Sequence, residues 1–124
     1  MKVNHSPFIN ETAINPLNGR LYFLQDWYEV CNGNNLAIIR FDDIELEQPK
    51  HRDRVLNCEI RYPGILYREE GKRKLKLIDG RHRIKRLQIL GAQEGMFYVL
   101  RHKHLWKLTH RPLKEDYPTP TMIR

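Results

Sequence analysis

The chain has 124 residues, 40% of them hydrophobic and 30% charged, with a formal net charge of +7. That length suits one domain with a modest core, and no apolar run approaches the roughly 20 residues needed to span a bilayer. Nor does an apolar stretch follow Lys2, so the sequence predicts a cytoplasmic protein with neither a secretory signal nor a membrane anchor. The charge is unevenly spread. Residues 1–49 hold three basic side chains (Lys2, Arg20, Arg40) against seven acidic ones, a net −4, while residues 50–124 hold 19 basic and 8 acidic, a net +11. Positive potential concentrated in this way favours phosphate-rich partners. Cys31 and Cys58 stand alone with no CxxC partner, which predicts reduced, buried thiols rather than a disulfide.

In chain order, residues 1–20 read as irregular, with Asn15-Pro16-Leu17-Asn18-Gly19 offering turn residues and no sustained period. Leu21, Leu24, Tyr28 and Cys31 fall near helical spacing and predict a short helix ended by Asn32-Gly33-Asn34-Asn35. Tyr22, Trp27 and Tyr28 are expected to pack in the core. Leu36–Phe41 reads as a buried strand. Asp42–Gln48 is acidic and meets Pro49, which disfavours a helix there, and residues 50–61 suit one or two helical turns with Val55 and Leu56 inward. Ile65–Tyr67 and Arg73–Ile78 flank a polar stretch containing Gly71, the pattern of a hairpin, with Leu75 and Leu77 alternating against Lys74 and Lys76. A helix over Arg81–Leu90 carries Ile84, Leu87 and Leu90 on its apolar face and stops at Gly91. Met96–Leu100 is a further strand. The fold class expected is α+β, a small mixed β-sheet with helices packed on it, divided as an N-terminal extension (1–35), a core (36–101) and a basic tail (102–124) that either wraps the domain or stays mobile.

The candidate site is Asp79-Gly80-Arg81-His82-Arg83, where a strand runs into a helix. The first turn of a helix presents main-chain N–H groups and partial positive charge, a setting that suits phosphate. Gly80 allows close approach to the backbone, Asp79 offers itself as N-cap, and Arg81 and Arg83 bring forked donors beside the His82 imidazole. The alternative is an ordinary turn followed by a solvated basic helix face.

Leu77–Gly91 (LIDGRHRIKRLQILG) resembles the motif of the ParB/sulfiredoxin family, in which a strand ends in a glycine, here Gly80, followed by a basic pair, here His82 and Arg83. Asp42-Asp43-Ile44-Glu45-Leu46 with Gln48-Pro49-Lys50 resembles the first-strand exit and the Gln-Pro-Arg box of ParB N-terminal domains, and Gly64-Ile65-Leu66 resembles the start of the second strand. The resemblance covers Leu36–Arg101, about half the chain. It implies a mixed sheet whose glycine turn grips the phosphates of DNA or a nucleotide, and a phage or other prokaryotic source. Its implied activities are CTP binding and hydrolysis, DNA nicking, phosphoryl transfer to a small hydroxyl compound, and sulfinic acid reduction.

Departures prune that list. Arg81 stands where sulfiredoxins carry their catalytic cysteine, and where ParB partition proteins typically carry an acidic residue. The residues after Leu100 are too few for the DNA-reading and dimerisation domains of partition proteins, so a stand-alone domain is expected.

Glu45 and Glu47 would share one face of an extended segment and either hold Mg²⁺ or act as general base, or simply face water. His102 and His104, with His110, form too thin a set to predict a metal. Arg101, Lys103, Lys107 and Arg111 around Trp106 read as a basic strip with a stacking aromatic, or as a tail pinned to the core by Trp106. The leading expectation is a ParB-like phosphate-binding domain that acts on DNA or a nucleotide, with a metal-dependent DNA nuclease as its enzymatic form. In it Asp79, Gly80, Arg81, His82 and Arg83 hold phosphate, with His82, Glu45 and Glu47 catalytic. Lys50, Arg52, Lys85, Arg86, Arg101 and Lys103 contact nucleic acid, and Mg²⁺ or a nucleoside triphosphate is the cofactor. The alternatives are a non-catalytic regulator that binds DNA or a protein partner, and a nucleotide-dependent small-molecule kinase.

Overall fold

The computed structural model describes residues 11–46 and 62–116, in which strands and helices form a mixed α+β arrangement. The readings made for Val55, Leu56 and Cys58, and the assignments of Glu47, Gln48, Pro49, Lys50 and Arg52, lie outside the described residues. A hairpin opens the described chain: β1 (Thr12–Asn15) pairs antiparallel with β2 (Arg20–Phe23). Strand β2 leads directly into α1 (Leu24–Glu29). The irregular reading of residues 1–20 is thus corrected for 12–20, and the helix drawn from Leu21 begins three residues later. Asn18-Gly19 supplies the turn between two strands of only four residues, too short for an alternation to register in sequence.

Five strands make the main sheet, in the order β3 (Leu36–Arg40), β7 (Glu94–Leu100), β5 (Gly64–Tyr67), β6 (Leu75–Asp79), β4 (Ile44–Glu45). The expected hairpin is present as the antiparallel pair β5–β6. The β7–β5 and β6–β4 pairs are parallel, and β3–β7 is antiparallel. Strand β3 is an edge strand rather than the buried one expected, and its Ile38 is 65% exposed. A single 3-10 turn at Phe41–Asp43 separates β3 from β4.

Alternation along the strands sends their side chains to two different cores. Ile65, Tyr67, Tyr98 and Leu100 pack with Tyr22, Leu24, Trp27 and Tyr28 of the N-terminal region and with Leu105 and Leu108 of α3 (His102–Leu108). Leu66, Leu75, Leu77 and Phe97 pack on the other face with Phe41, Ile44 and Ile84, the last from α2 (Arg81–Ile89). The sheet is therefore covered by α1 and α3 on one side and by α2 on the other, each face burying apolar surface that would otherwise stay wet. Trp27, Tyr22 and Tyr28 are buried as expected. The indole N–H of Trp27 donates to the Ala13 carbonyl at 3.2 Å, and the Asn15 side chain donates to the Leu105 carbonyl at 3.0 Å. These bonds join the hairpin to both helices of that layer.

Two details of α2 and α3 differ from the sequence reading. Leu90 lies just past the end of α2 and is exposed, so Ile84 and Leu87 carry the apolar face; Gly91 does adopt a positive φ of 92°. Residues 102–108, expected as part of a tail, form α3. Its Leu105 and Leu108 pin it to the sheet, whereas Trp106, proposed as the pin, is 56% exposed. No helix among the described residues is long and apolar enough to cross a membrane.

Candidate functional site: the junction of β6 and α2

Strand β6 ends at Asp79, and α2 begins at Arg81, with Gly80 between them at φ 124°. That dihedral lies where L side chains carry strain, which is the local reason for glycine here. Gly80 is also packed closely. A Cβ there would meet the Gly64 Cα at 3.3 Å and an Arg83 guanidinium nitrogen at 3.5 Å. At Gly64 itself, a Cβ would stand 2.5 Å from the Asp79 carbonyl oxygen and 2.9 Å from the Phe97 ring. The start of β5 thus presses against the junction, and only glycine permits that approach.

Gly80 is the N-cap residue of α2 and has no side chain with which to cap it. The N-cap role expected of Asp79 is therefore corrected. Its carboxylate instead accepts from the Tyr28 hydroxyl at 2.6 Å and from the Arg83 guanidinium at 2.9 Å. The Tyr28 hydroxyl also lies within 3.0 Å of the Pro63 carbonyl, and Arg83 donates to that hydroxyl at 3.3 Å. Arg83, assigned from sequence to a bound phosphate, turns inward: its side chain is 8% exposed, against 19% for Asp79. A spacing of four along the chain lets the two meet across the first helical turn.

Burial and the Asp79 carboxylate both push the Tyr28 phenol well above its ordinary value, so it stays protonated and donates. Burial works against the Arg83 charge, but Asp79 and Tyr28 more than offset this and hold it above the usual arginine range. The Cys31 thiol, beside the same network, is pushed up to about 12 by burial and then by Asp79. It stays a thiol that donates to the Trp27 carbonyl, which leaves it no nucleophilic role.

Arg81 and His82 occupy the first two helical positions and are half-buried, Lys85 is exposed, and Arg86 is half-buried. The first main-chain bond within the helix runs from the Ile84 N–H to the Gly80 carbonyl at 2.9 Å. The amides of Arg81, His82 and Arg83 precede it, and no acidic side chain sits in the first turn.

Glu45 is not brought to this junction. It pairs with Lys76 in the parallel β4–β6 ladder, three positions before Asp79, which is about 10 Å back along the strand. With the Asp79 carboxylate committed to Arg83 and Tyr28, the described carboxylates do not fit a Mg²⁺ ion at the start of α2. Nor do His102, His104 and His110 converge. The Nδ1 of His104 accepts from the Arg101 amide at 3.0 Å, while the His110 ring packs on Trp106. Arg101, the N-cap of α3, and Lys103 within it are exposed, on the other side of the sheet from α2.

No family model, curated protein or solved structure matches this chain. Tyr28 is the residue that sequence reasoning placed only in the core; its polar end closes the network under Gly80. Its helical spacing predicted burial, but nothing in the sequence points 51 residues ahead to Asp79. Gly64 was legible as a strand start, not as the residue that lets β5 touch the junction.

Proposed function

We propose that this chain is a ParB-like domain that binds phosphate groups of DNA or of a nucleotide at the N-terminus of α2. The observation that carries this reading is a helix that starts on a positive-φ glycine, while the adjoining carboxylate is paired inward with Arg83 and Tyr28 and two basic residues open the first turn. The first turn of a helix carries main-chain N–H groups and the positive end of the helix dipole, the setting that suits an anion, and α2 places none of its own acidic residues there. Arg81 and His82 flank that point, and Lys85 and Arg86 extend the positive surface along the next turn. The site also lies beyond the carboxyl ends of the parallel pair β4 and β6, the position where open sheets with helical crossovers receive ligands. Arg83 acts as a positioning residue, holding Gly80 and the first turn in place from below.

Glu45 stands about 10 Å back along the β4–β6 ladder, so binding at the junction does not call on it. The test is titration of the full chain with labelled duplex DNA and with nucleoside triphosphates, each with and without Mg²⁺. Saturable binding that weakens with salt, and weakens further in Arg81→Ala, supports the reading. Each phosphate contact removed from duplex DNA lowers the slope of log K against log salt by about 0.9. Absence of binding to every phosphate ligand contradicts it, and turnover of DNA or nucleotide adds the enzymatic activity that the resemblance implies.

A further inference from the structure

The second basic helix has a face that the junction reading does not use. Leu105 and Leu108 of α3 are fully buried, and His104 is buried beside them. The opposite side of the helix therefore carries Lys103, Trp106, Lys107 and His110, at spacings of three and four that align them in one outward stripe. Trp106 is 56% exposed, and its ring leans edge-on against His110 with centroids 4.3 Å apart. Residues 101–111 contain no carboxylate. Arg111 is spent inward, donating to buried Asp26 at 2.7 Å and pairing with Glu29, so the outward charge comes from Arg101, Lys103 and Lys107.

This stripe is remote from the α2 junction. Strands β5 and β7 run parallel, Tyr67 is paired with Leu100, and the Arg68 amide donates to the Leu100 carbonyl at 2.8 Å. The start of α3 thus lies beside the β5–β6 connection, where Lys72, Arg73 and Lys74 are exposed together with Glu70. That is the opposite end of β6 from Gly80, roughly 15 Å away along the strand.

We propose that the Trp106 stripe of α3 binds single-stranded nucleic acid, with the indole stacking on a base and Lys103 and Lys107 contacting the flanking phosphates. The inference is independent of the phosphate site at α2. Its warrant is chemical complementarity. An exposed aromatic ring set between lysines, on a stretch with no acidic residue of its own, matches a polyanion whose planar bases are unstacked and accessible. A duplex offers the same phosphates but keeps its bases inside, and an acidic peptide has no general use for the ring.

Fluorescence makes the test direct, because the other tryptophan, Trp27, is fully buried and Trp106 is the one that an external ligand can reach. The full chain is titrated with a short oligo-dT, with a duplex of the same length, and with anionic lipid vesicles, and calorimetry reads the binding of variants that lack the Trp106 indole. Expected are quenching by oligo-dT, about tenfold weaker binding in Trp106→Ala, and near wild-type binding in Trp106→Phe. Lys103→Ala and Lys107→Ala should each reduce the salt slope by about 0.7, the value for single strands. Circular dichroism confirms that each variant folds, as its exposure leads one to expect. Equal binding of oligo-dT by wild type and Trp106→Ala overturns the proposal, and so does a response to vesicles without one to oligo-dT. Arg81→Ala separates the two sites: it should leave the quenching by oligo-dT intact. If it abolishes the quenching, the single strand is held at α2 and the α3 proposal fails while the junction reading stands.

Discussion

The Arg83 guanidinium of α2 lies buried against Asp79, whereas Lys103 and Lys107 of α3 stand in solvent beside an exposed indole. Both helices are basic and both pack on the same sheet, one on each face. On α2, a charge is used to hold the backbone, and the first turn sits half-buried beside it. On α3, the backbone is held by Leu105 and Leu108, and the charge is left outside. Helix α1 is tied to both: Tyr28 reaches the junction, and Asp26 anchors Arg111 beyond the end of α3. A count of basic residues therefore says little about where an anion binds. The direction of each side chain, set by tertiary partners, decides it.

The comparison is broken most severely by removing Asp79. Asp79→Ala leaves the buried Arg83 charge without this partner and should cost about 3–5 kcal/mol, read as a large fall in Tm or in the midpoint of denaturation. A loss below about 1 kcal/mol would mean that Arg83 is not held in this way. Next comes Gly80→Ala, where the positive φ alone predicts a cost of about 1–3 kcal/mol, together with weaker phosphate binding as the first turn shifts. Tyr28→Phe keeps the ring and removes only the hydroxyl, for an expected loss of about 1–2 kcal/mol by the same denaturation measurement.

A smaller effect is pH-dependent and belongs to α3. Burial, and then the neighbouring Lys103 charge, lower the His104 value from 6.5. The unfolded chain takes up this proton first, so stability is full above 6.5 and is lost as pH falls through the lowered folded value. Melting curves between about pH 8 and pH 5 should show this slope, and His104→Gln should flatten it. Smallest of all is Arg20→Ala. It breaks a solvent-exposed pair with Glu115 and should change stability by less than about 1 kcal/mol.

The sequence made the α+β class, the β5–β6 hairpin, the glycine junction and the extent of α2 legible, because each has a local signature. Leu75 and Leu77 alternate, Ile84 and Leu87 follow a helical period, and Gly80 and Gly91 punctuate. What escaped is non-local or too short to show a period. The β1–β2 hairpin has four residues a strand, and residues 102–108 read as tail although Leu105 and Leu108 already carry a helical spacing. The inward turn of Arg83 depends on Tyr28, 55 residues earlier in the chain. No reading of spacing alone predicts that contact, so a guanidinium in a basic run looked like a ligand for phosphate when it is a strut.

The central claim, an anion seated on the first turn of α2, is most directly tested by amide chemical shifts during titration with inorganic pyrophosphate. The account predicts that the backbone amides of Arg81, His82 and Arg83 move first and saturate together, with those of α3 little affected. Perturbation confined to other parts of the molecule, or none at millimolar ligand, would contradict it.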